Sequence, residues 1–414
     1  MYELYAKTKE NLRLATYAGQ NICNPTAAVL AHIFFDRRPI KKKIRKALKL
    51  ITLTPRYSCR ETIRGDSFIW HCDREDQTRM ALDVGHKISS QKKLSITFMP
   101  SLKDDTYISL DWPAMYAALK ISRTCKQPLI EKFFIFAALC QAIKHVKAIE
   151  KHGILDQITS LVSYNSANIP ECFLSNACRQ HGIKTYSLQH GLYHRYRNEQ
   201  PIDIINYENI TAQKLLVWSE FCRSEIVEFH RERGKAPDFE ILVAGYISPL
   251  QQRTAARETP HGGRKNILCL LPGKRYIKDC VILLDTLNQL PEDYDVIVRL
   301  HPLLADNAEI RNALPRTSIL DTNQSLTQTL LHRRYDVAVG FNTTSLFEAM
   351  LFDIPCALYR APSLNLEVKG IPSFSTAAEL IELDHSATST RALATYLLGA
   401  SVFRYGEIIS ADLG

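Results

Sequence analysis

The feature that most constrains this chain is an alternation of strand and helix patterns that starts near residue 155, breaks, and starts again at residue 266. In the first series, ITSLVSY (158–164), IKTYSLQ (183–189), LLVWS (215–219) and FEILVAG (239–245) read as strands. Helical patterns separate them, ECFLSNACRQH closing at Gly182 and EFCRSEIVEFHRERG closing at Gly234. In the second series, NILCLLPG (266–273), DYDVIVRLHP (293–302), a short run near 317–320, DVAVGFN (336–342) and IPCALY (354–359) are strands, with helices between them. Such alternation predicts parallel sheets with right-handed crossovers. Residues 249–265 (PLQQRTAARETPHGGRK) are polar, turn-rich and aperiodic, which marks a linker. The expectation is an α/β chain of two Rossmann-like domains with a cleft between them. They span residues 1–248 and 266–414, with 249–265 as linker and the last helix packing back on the N-terminal domain. A length of 414 residues with 46% hydrophobic content agrees with more than one core.

Upstream, SFIWHCD, MALDVGH and KLSITFM within residues 60–110 read as strands, and residues 112–152 as two helices. The longest apolar run, FFIFAALCQAI (133–143), falls short of the ~18 residues of a spanning helix and reads as a buried helix. The N-terminal MYELYAKTKENLRLATYAGQ has no apolar core of a secretory signal. The 11 cysteines form no CxxC pair and sit in apolar contexts, as reduced thiols in a cytoplasmic protein do. Metal-ligand spacings are missing too, so no metal is expected. The formal charge of +9 owes much to residues 37–49, RRPIKKKIRKALK. This run is either a solvated helix face or a patch for anionic headgroups on the inner face of a membrane. No helix-turn-helix, finger or RNP-like pattern accompanies it, so nucleic acid is not an expected partner.

Three clusters follow directly on expected strands. Gln189-His190-Gly191 places an imidazole on a tight turn at a strand's carboxyl end, where it suits a general base for a hydroxyl; the alternative is a structural turn. Arg299 and His301, two apart on an extended segment that exits through Pro302, point the same way and can close on one anion. Alternatively Arg299 pairs with a carboxylate and His301 only ends the strand. Asn342-Thr343-Thr344-Ser345 brings hydroxyls and backbone N–H groups to a helix start, which favours phosphate; plain N-capping is the other reading. Glu348 lies a turn further on, either within reach of a ribose or as the acid that first helical turns favour. Gly273-Lys274, after the first strand of the second series, forms either a basic turn suited to phosphate or carboxylate or a plain turn. Glu171, where a loop meets a helix, is a second acid–base candidate or an ordinary first-turn acid.

The order of HG, R-x-H-P, hydroxyl run, helical Glu and later IP, over about residues 155–360, resembles the bacterial GT-B glycosyltransferases of capsule, lipopolysaccharide and teichoic acid assembly. These include CDP-glycerol glycerophosphotransferases and sialyl- and Kdo transferases. The resemblance implies that His301, Thr343, Thr344 and Ser345 bind donor phosphates and that His190 is the base, flanked by Gln189 and Gly191 on the acceptor side. It further implies donor binding in 266–414, acceptor binding in 1–248, a lipid-linked glycan acceptor, and no cofactor besides the nucleotide-sugar substrate. CMP-Kdo or CMP-sialic acid is the favoured donor. The alternative is a UDP-sugar enzyme, either a transferase or a non-hydrolysing 2-epimerase. Two features depart from the sialyltransferases: their acidic-Asp-Gly motif is missing, and Thr-Thr-Ser replaces their Ser-Ser pair.

Overall fold

The computed structural model describes residues 1–56, 67–70, 75–92, 96–99, 105–196, 201–246, 264–314, 319–320, 326–364, 366–383, 390–399 and 402–413. Most of the expected linker, and the ends of two upstream strand runs, therefore lie outside the described residues.

The first half opens with α1 (Tyr2–Asn11), a small hairpin of β1 (Thr16–Tyr17) and β2 (Gln20–Asn21), α2 (Cys23–Phe34), α3 (Ile40–Thr52) and β3 (Leu53–Arg56). It continues through β4 (Ser67–Trp70), α4 (Glu75–Lys92), β5 (Ile96–Met99), β6 (Asp105–Ile108), α5 (Trp112–Thr124) and α6 (Leu129–His152). The alternating series follows: β7 (Ser160–Tyr164), α7 (Glu171–Gln180), β8 (Lys184–Leu188), α8 (Ile205–Glu208), β9 (Lys214–Val217), α9 (Glu220–Glu232) and β10 (Glu240–Val243). Its six-stranded sheet has the order β10-β9-β8-β7-β4-β5, parallel throughout.

The second half runs β11 (Lys265–Leu270), α10 (Ile277–Leu287), β12 (Tyr294–Arg299), α11 (Ala308–Ala313), β13 (Ile319–Leu320), α12 (Leu326–His332), β14 (Val337–Gly340) and α13 (Thr344–Met350). It ends with β15 (Cys356–Tyr359), β16 (Ser373–Phe374), α14 (Ala377–Glu382), α15 (Thr390–Leu398) and α16 (Tyr405–Leu413). Its sheet is also parallel, ordered β13-β12-β11-β14-β15-β16. In chain order within the sheet this is 3-2-1-4-5-6, which reverses direction between β11 and β14. Ligands of doubly wound sheets bind at the strand carboxyl ends beside such a reversal.

Local chemistry explains the element ends. Asp111 Oδ1 accepts the Ala114 N–H at 3.0 Å, with a proline in the first turn, and so starts α5. Ser219 Oγ accepts the Cys222 N–H at 3.2 Å and starts α9. The run 133–143 lies inside α6, which packs against α2, α3, α5 and α7. No helix among the described residues is long and apolar enough to cross a membrane. The nine described cysteines are free and buried.

One expected strand is corrected. MALDVGH lies inside α4, whose Ala81, Val84 and Ile88 are buried at spacings of three and four. β4 and β5 pair in parallel, and parallel neighbours need a long crossover, usually a helix, which α4 supplies here. The alternating pattern here is the projection of a helical stripe.

α15 packs on α9, and α16 covers α4 on the face of the first sheet that carries Val162, Tyr186 and Leu216. Lys214 Nζ lies 2.8 Å from Asp412, Tyr186 donates its hydroxyl to the same carboxylate at 2.5 Å, and the Tyr405 hydroxyl donates to Gly245 O at 2.6 Å. A Cβ on Gly245 would stand 1.7 Å from Val402 O, and its φ is +101°, so only glycine fits under the returning segment.

Candidate functional site

β8 delivers Gln189, His190 and Gly191 to the seam between the halves. Gln189 is 1% exposed. Its Oε1 accepts the Trp218 N–H at 2.8 Å and its Nε2 donates to Gly191 O at 2.7 Å. Both ends of the amide are spent inside the fold, so Gln189 braces the turn rather than facing an acceptor. His190 is half-buried and meets the Tyr164 ring edge-on at 5.8 Å. Gly191 has a φ of +71°, and a Cβ there would lie 3.5 Å from Thr344 Oγ1 of the other half. Glu171 opens α7 and is buried at 3% exposure.

In the second sheet, the turn after β11 contains Gly273 and the exposed Lys274. His301 sits over that turn: its Cε1 and Nε2 are 3.8 Å from the position of a Gly273 Cβ. Its Nδ1 accepts the Leu303 N–H at 3.1 Å. An accepting Nδ1 carries the lone pair, so the ring proton resides on Nε2, the nitrogen beside the glycine turn. Arg299 ends β12 and donates from Nη1 to Thr329 Oγ1 on α12 at 3.0 Å. Arg299 and His301 thus each have protein partners of their own.

Asn342 takes a left-handed conformation, φ +45°, two residues beyond the end of β14. Its Oδ1 accepts the Tyr196 hydroxyl at 3.1 Å, across the seam. Thr343 occupies the N-cap position of α13 without a side-chain capping bond. Thr344 Oγ1 accepts the Leu192 N–H at 3.1 Å, again from the other half. Ser345 is half-buried on the same turn. The Glu348 carboxylate accepts the hydroxyl of Tyr246, whose ring meets Trp218 edge-on at 4.7 Å. Burial, reinforced by the Glu348 charge, holds the Tyr246 hydroxyl well above the usual phenol range. Asp203 completes the seam, accepting the Tyr276 hydroxyl at 3.1 Å and facing Arg275 at 3.5 Å.

Gly273, His301 and Asn342–Ser345 therefore share the strand carboxyl ends beside the β11/β14 reversal, facing the His190–Tyr196 loop of the first sheet. Tyr196 and Tyr246, which tie the halves to Asn342 and Glu348, were not singled out from the sequence. The aromatic density of HGLYHRY was a readable signal for Tyr196; nothing local marks Tyr246. His194 in the same loop is buried, and burial pulls its imidazole down to about 4.

No family model matches the chain, and no curated protein matches it. Solved structures do. A Listeria monocytogenes protein described as a UDP-N-acetylglucosamine 2-epimerase superposes with TM-score 0.51 at 12% identity, over 84% of this chain and 96% of its own. The S. aureus MnaA–UDP complex gives 0.51 at 11% identity, over 83% and 95%. The lipopolysaccharide outer core galactosyltransferase WaaB gives 0.44 at 14% identity, over 84% and 94%. The chain has the GT-B fold: two doubly wound α/β halves facing each other across a cleft.

Proposed function

We propose that the protein is a nucleotide-sugar-dependent glycosyltransferase that extends a lipid-linked bacterial surface glycan, with residues 266–414 holding the donor and residues 1–248 the acceptor. The observation that carries the reading is the convergence of Gly273, His301 and the Asn342–Ser345 run beside the β11/β14 reversal, opposite His190. Fold analogy alone does not select a reaction. The motif order HG, R-x-H-P and hydroxyl run supports transfer to a surface glycan.

In this reading the donor's phosphates lie between the Gly273–Lys274 turn, His301 Nε2 and the hydroxyls of Thr343, Thr344 and Ser345. Donors aimed at the leaving phosphate stabilise the charge that develops as the glycosidic bond to it breaks. His190 removes the proton from the attacking acceptor hydroxyl, with Tyr164 fixing its ring edge. Arg299 positions α12 at the rim of the site through Thr329.

A second reading is favoured by the two superpositions above 0.5, one on a protein described as a UDP-N-acetylglucosamine 2-epimerase and one on a UDP complex. It makes the protein a UDP-sugar 2-epimerase. Thermal shift with UDP, CMP and CDP selects the nucleotide, because a ligand at a hundred times its Kd adds about 2.7 kcal/mol of stability. Incubating the matching nucleotide sugar with and without a glycan acceptor separates the activities. A shift with none of the nucleotides overturns both readings, and epimerisation without acceptor overturns transfer.

A further inference from the structure

We infer that the outer faces of α3 and α5 form one docking surface for an anionic lipid bilayer, in which the cations of α3 meet headgroups and the aromatic face of α5 enters the interface. The inference rests on the proposed function only in naming the bilayer as the home of a lipid-linked acceptor.

The two helices are held end to end at one place. The Ser109 N–H donates to Thr52 O at 2.8 Å, and Leu53 pairs with Ile108 across an antiparallel ladder. α6 anchors both: Lys144 Nζ donates to Ile51 O and Leu53 O, and Lys147 pairs with Asp111 at 2.5 Å. The last turn of α3 and the start of α5 are therefore neighbours on a rigid support.

α5 is inverted for a surface helix of a soluble domain. Trp112, Tyr116 and Leu119, spaced by four and three, occupy one face and are 67%, 73% and 41% exposed. Ile108 at 84% and Leu110 at 48% extend the patch toward α3, where Leu48 is also exposed. Contiguous apolar faces of this kind mark interaction sites, whereas single exposed apolar side chains do not.

Charge selects the occupant. Residues 37–52 carry eight Lys or Arg and no acid, and residues 112–130 add Lys120, Arg123 and Lys126, again with no acid. The structure divides the basic run. Lys43 donates to Phe34 O at 3.3 Å and Lys46 to His32 O at 2.9 Å, so these two are tied into the fold. Lys41, Lys42, Arg45 and Lys49 remain exposed. Asp36 and Asp111, which flank these runs, are paired with Arg38 and Lys147, so the exposed charge beside the tryptophan–tyrosine face is mainly that of Lys41, Lys42, Arg45 and Lys49. Such a face suits the headgroup level of an anionic membrane, where amphipathic rings and basic side chains both settle. A second copy of this chain would bring the same net positive charge to the patch.

The test is sedimentation of the full chain with vesicles of phosphatidylcholine alone or with phosphatidylglycerol, together with Trp fluorescence. Wild type partitions onto the anionic vesicles, and a Trp112 blue shift accompanies binding and disappears in Trp112→Phe. Lys41→Gln, Lys42→Gln, Arg45→Gln and Lys49→Gln together lower partition more than about a hundredfold, at about fivefold per charge. Trp112→Ser with Tyr116→Ser and Leu119→Ser lowers it about tenfold or more, and the loss persists in low salt. Equal binding of the triple variant, or no blue shift, overturns the proposal. So does a lipid-free wild-type dimer that the triple variant dissociates, because a second copy then covers the face. Nucleotide binding, measured on the same preparations, reports on the proposed function independently. Vesicle binding without nucleotide binding leaves the surface standing and removes the transferase, and the reverse result removes the surface alone.

Discussion

The hydroxyl of Thr344, in the second half of the molecule, accepts the backbone N–H of Leu192, in the first, at 3.1 Å. With Tyr196 on Asn342 and Tyr246 on Glu348, this bond ties the loop after β8 to the start of α13. Residues expected to hold phosphate thus also hold the two halves together.

Replacing Thr344 with Val, which keeps the shape and removes the hydroxyl, leaves the Leu192 N–H without its partner. A loss of about 1–3 kcal/mol in denaturant unfolding is expected, with nucleotide affinity falling as well. Thr344→Ser keeps the oxygen and stays near wild type in both. If Val matches Ser in both measurements, the bond contributes nothing.

The His301 series separates two jobs of one ring. His301→Asn keeps an acceptor for the Leu303 N–H but loses the donor beside Gly273. His301→Gln places an amide donor near the Nε2 position. Calorimetry with the nucleotide selected by thermal shift should show Ala and Asn weakened together by about 3–4 kcal/mol in turnover or binding, with Gln partly restored. Restoration by Asn instead of Gln would mean that His301 acts only as a turn cap.

His190→Ala should lower turnover by roughly 10²–10⁴-fold with donor affinity kept, since a base acts on the acceptor hydroxyl. Initial rates and calorimetric titration of the same variant decide it. Equal loss of donor affinity in His190→Ala and His301→Ala would move His190 into the donor pocket. No change in either quantity would make it a structural turn residue and pass the base assignment to Glu171.

Acid should destabilise the fold well above the carboxylate range. Burial pulls His32 and His194 to about 4 and His145 to about 3, from an ordinary value of 6.5. The unfolded chain then takes up these protons first, so the stability present above pH 6.5 is lost as pH falls toward the folded values. Each contributes about 2 kcal/mol of loss between pH 7 and pH 5. Melting temperature against pH should fall steeply in that window, and His145→Phe should flatten the slope. A profile flat from pH 7 to pH 5 would contradict the burial of all three rings.

Gly245→Ala should cost more than about 2 kcal/mol, because its Cβ meets Val402 O under the returning segment. Limited proteolysis should then release α16 first. An unchanged melting temperature would mean that this segment docks loosely.

The local pattern was enough to read β7 to β10 of the first parallel sheet and β11 to β15 of the second, because buried parallel strands are apolar runs and their crossovers carry helical stripes, signals that survive without any partner; that β4 and β5 join the first sheet, and β16 the second, was not legible. It was also enough to bring out His190, His301 and the Asn342–Ser345 run, because residues that follow strand carboxyl ends stand out by position. α4 was misread because its buried stripe at Ala81, Val84 and Ile88 is interleaved with polar residues in a way that also fits a strand. Only the tertiary structure decided that Gln189 is a buried brace, that Lys43 and Lys46 are spent on backbone carbonyls, and that Tyr196 and Tyr246 bridge the halves. Each depends on a partner 9 to 146 positions away in sequence, as with Lys43 on Phe34 and Tyr196 on Asn342. A side chain's neighbours in sequence set its element and its face, but the groups that satisfy its hydrogen bonds are chosen by how the elements pack.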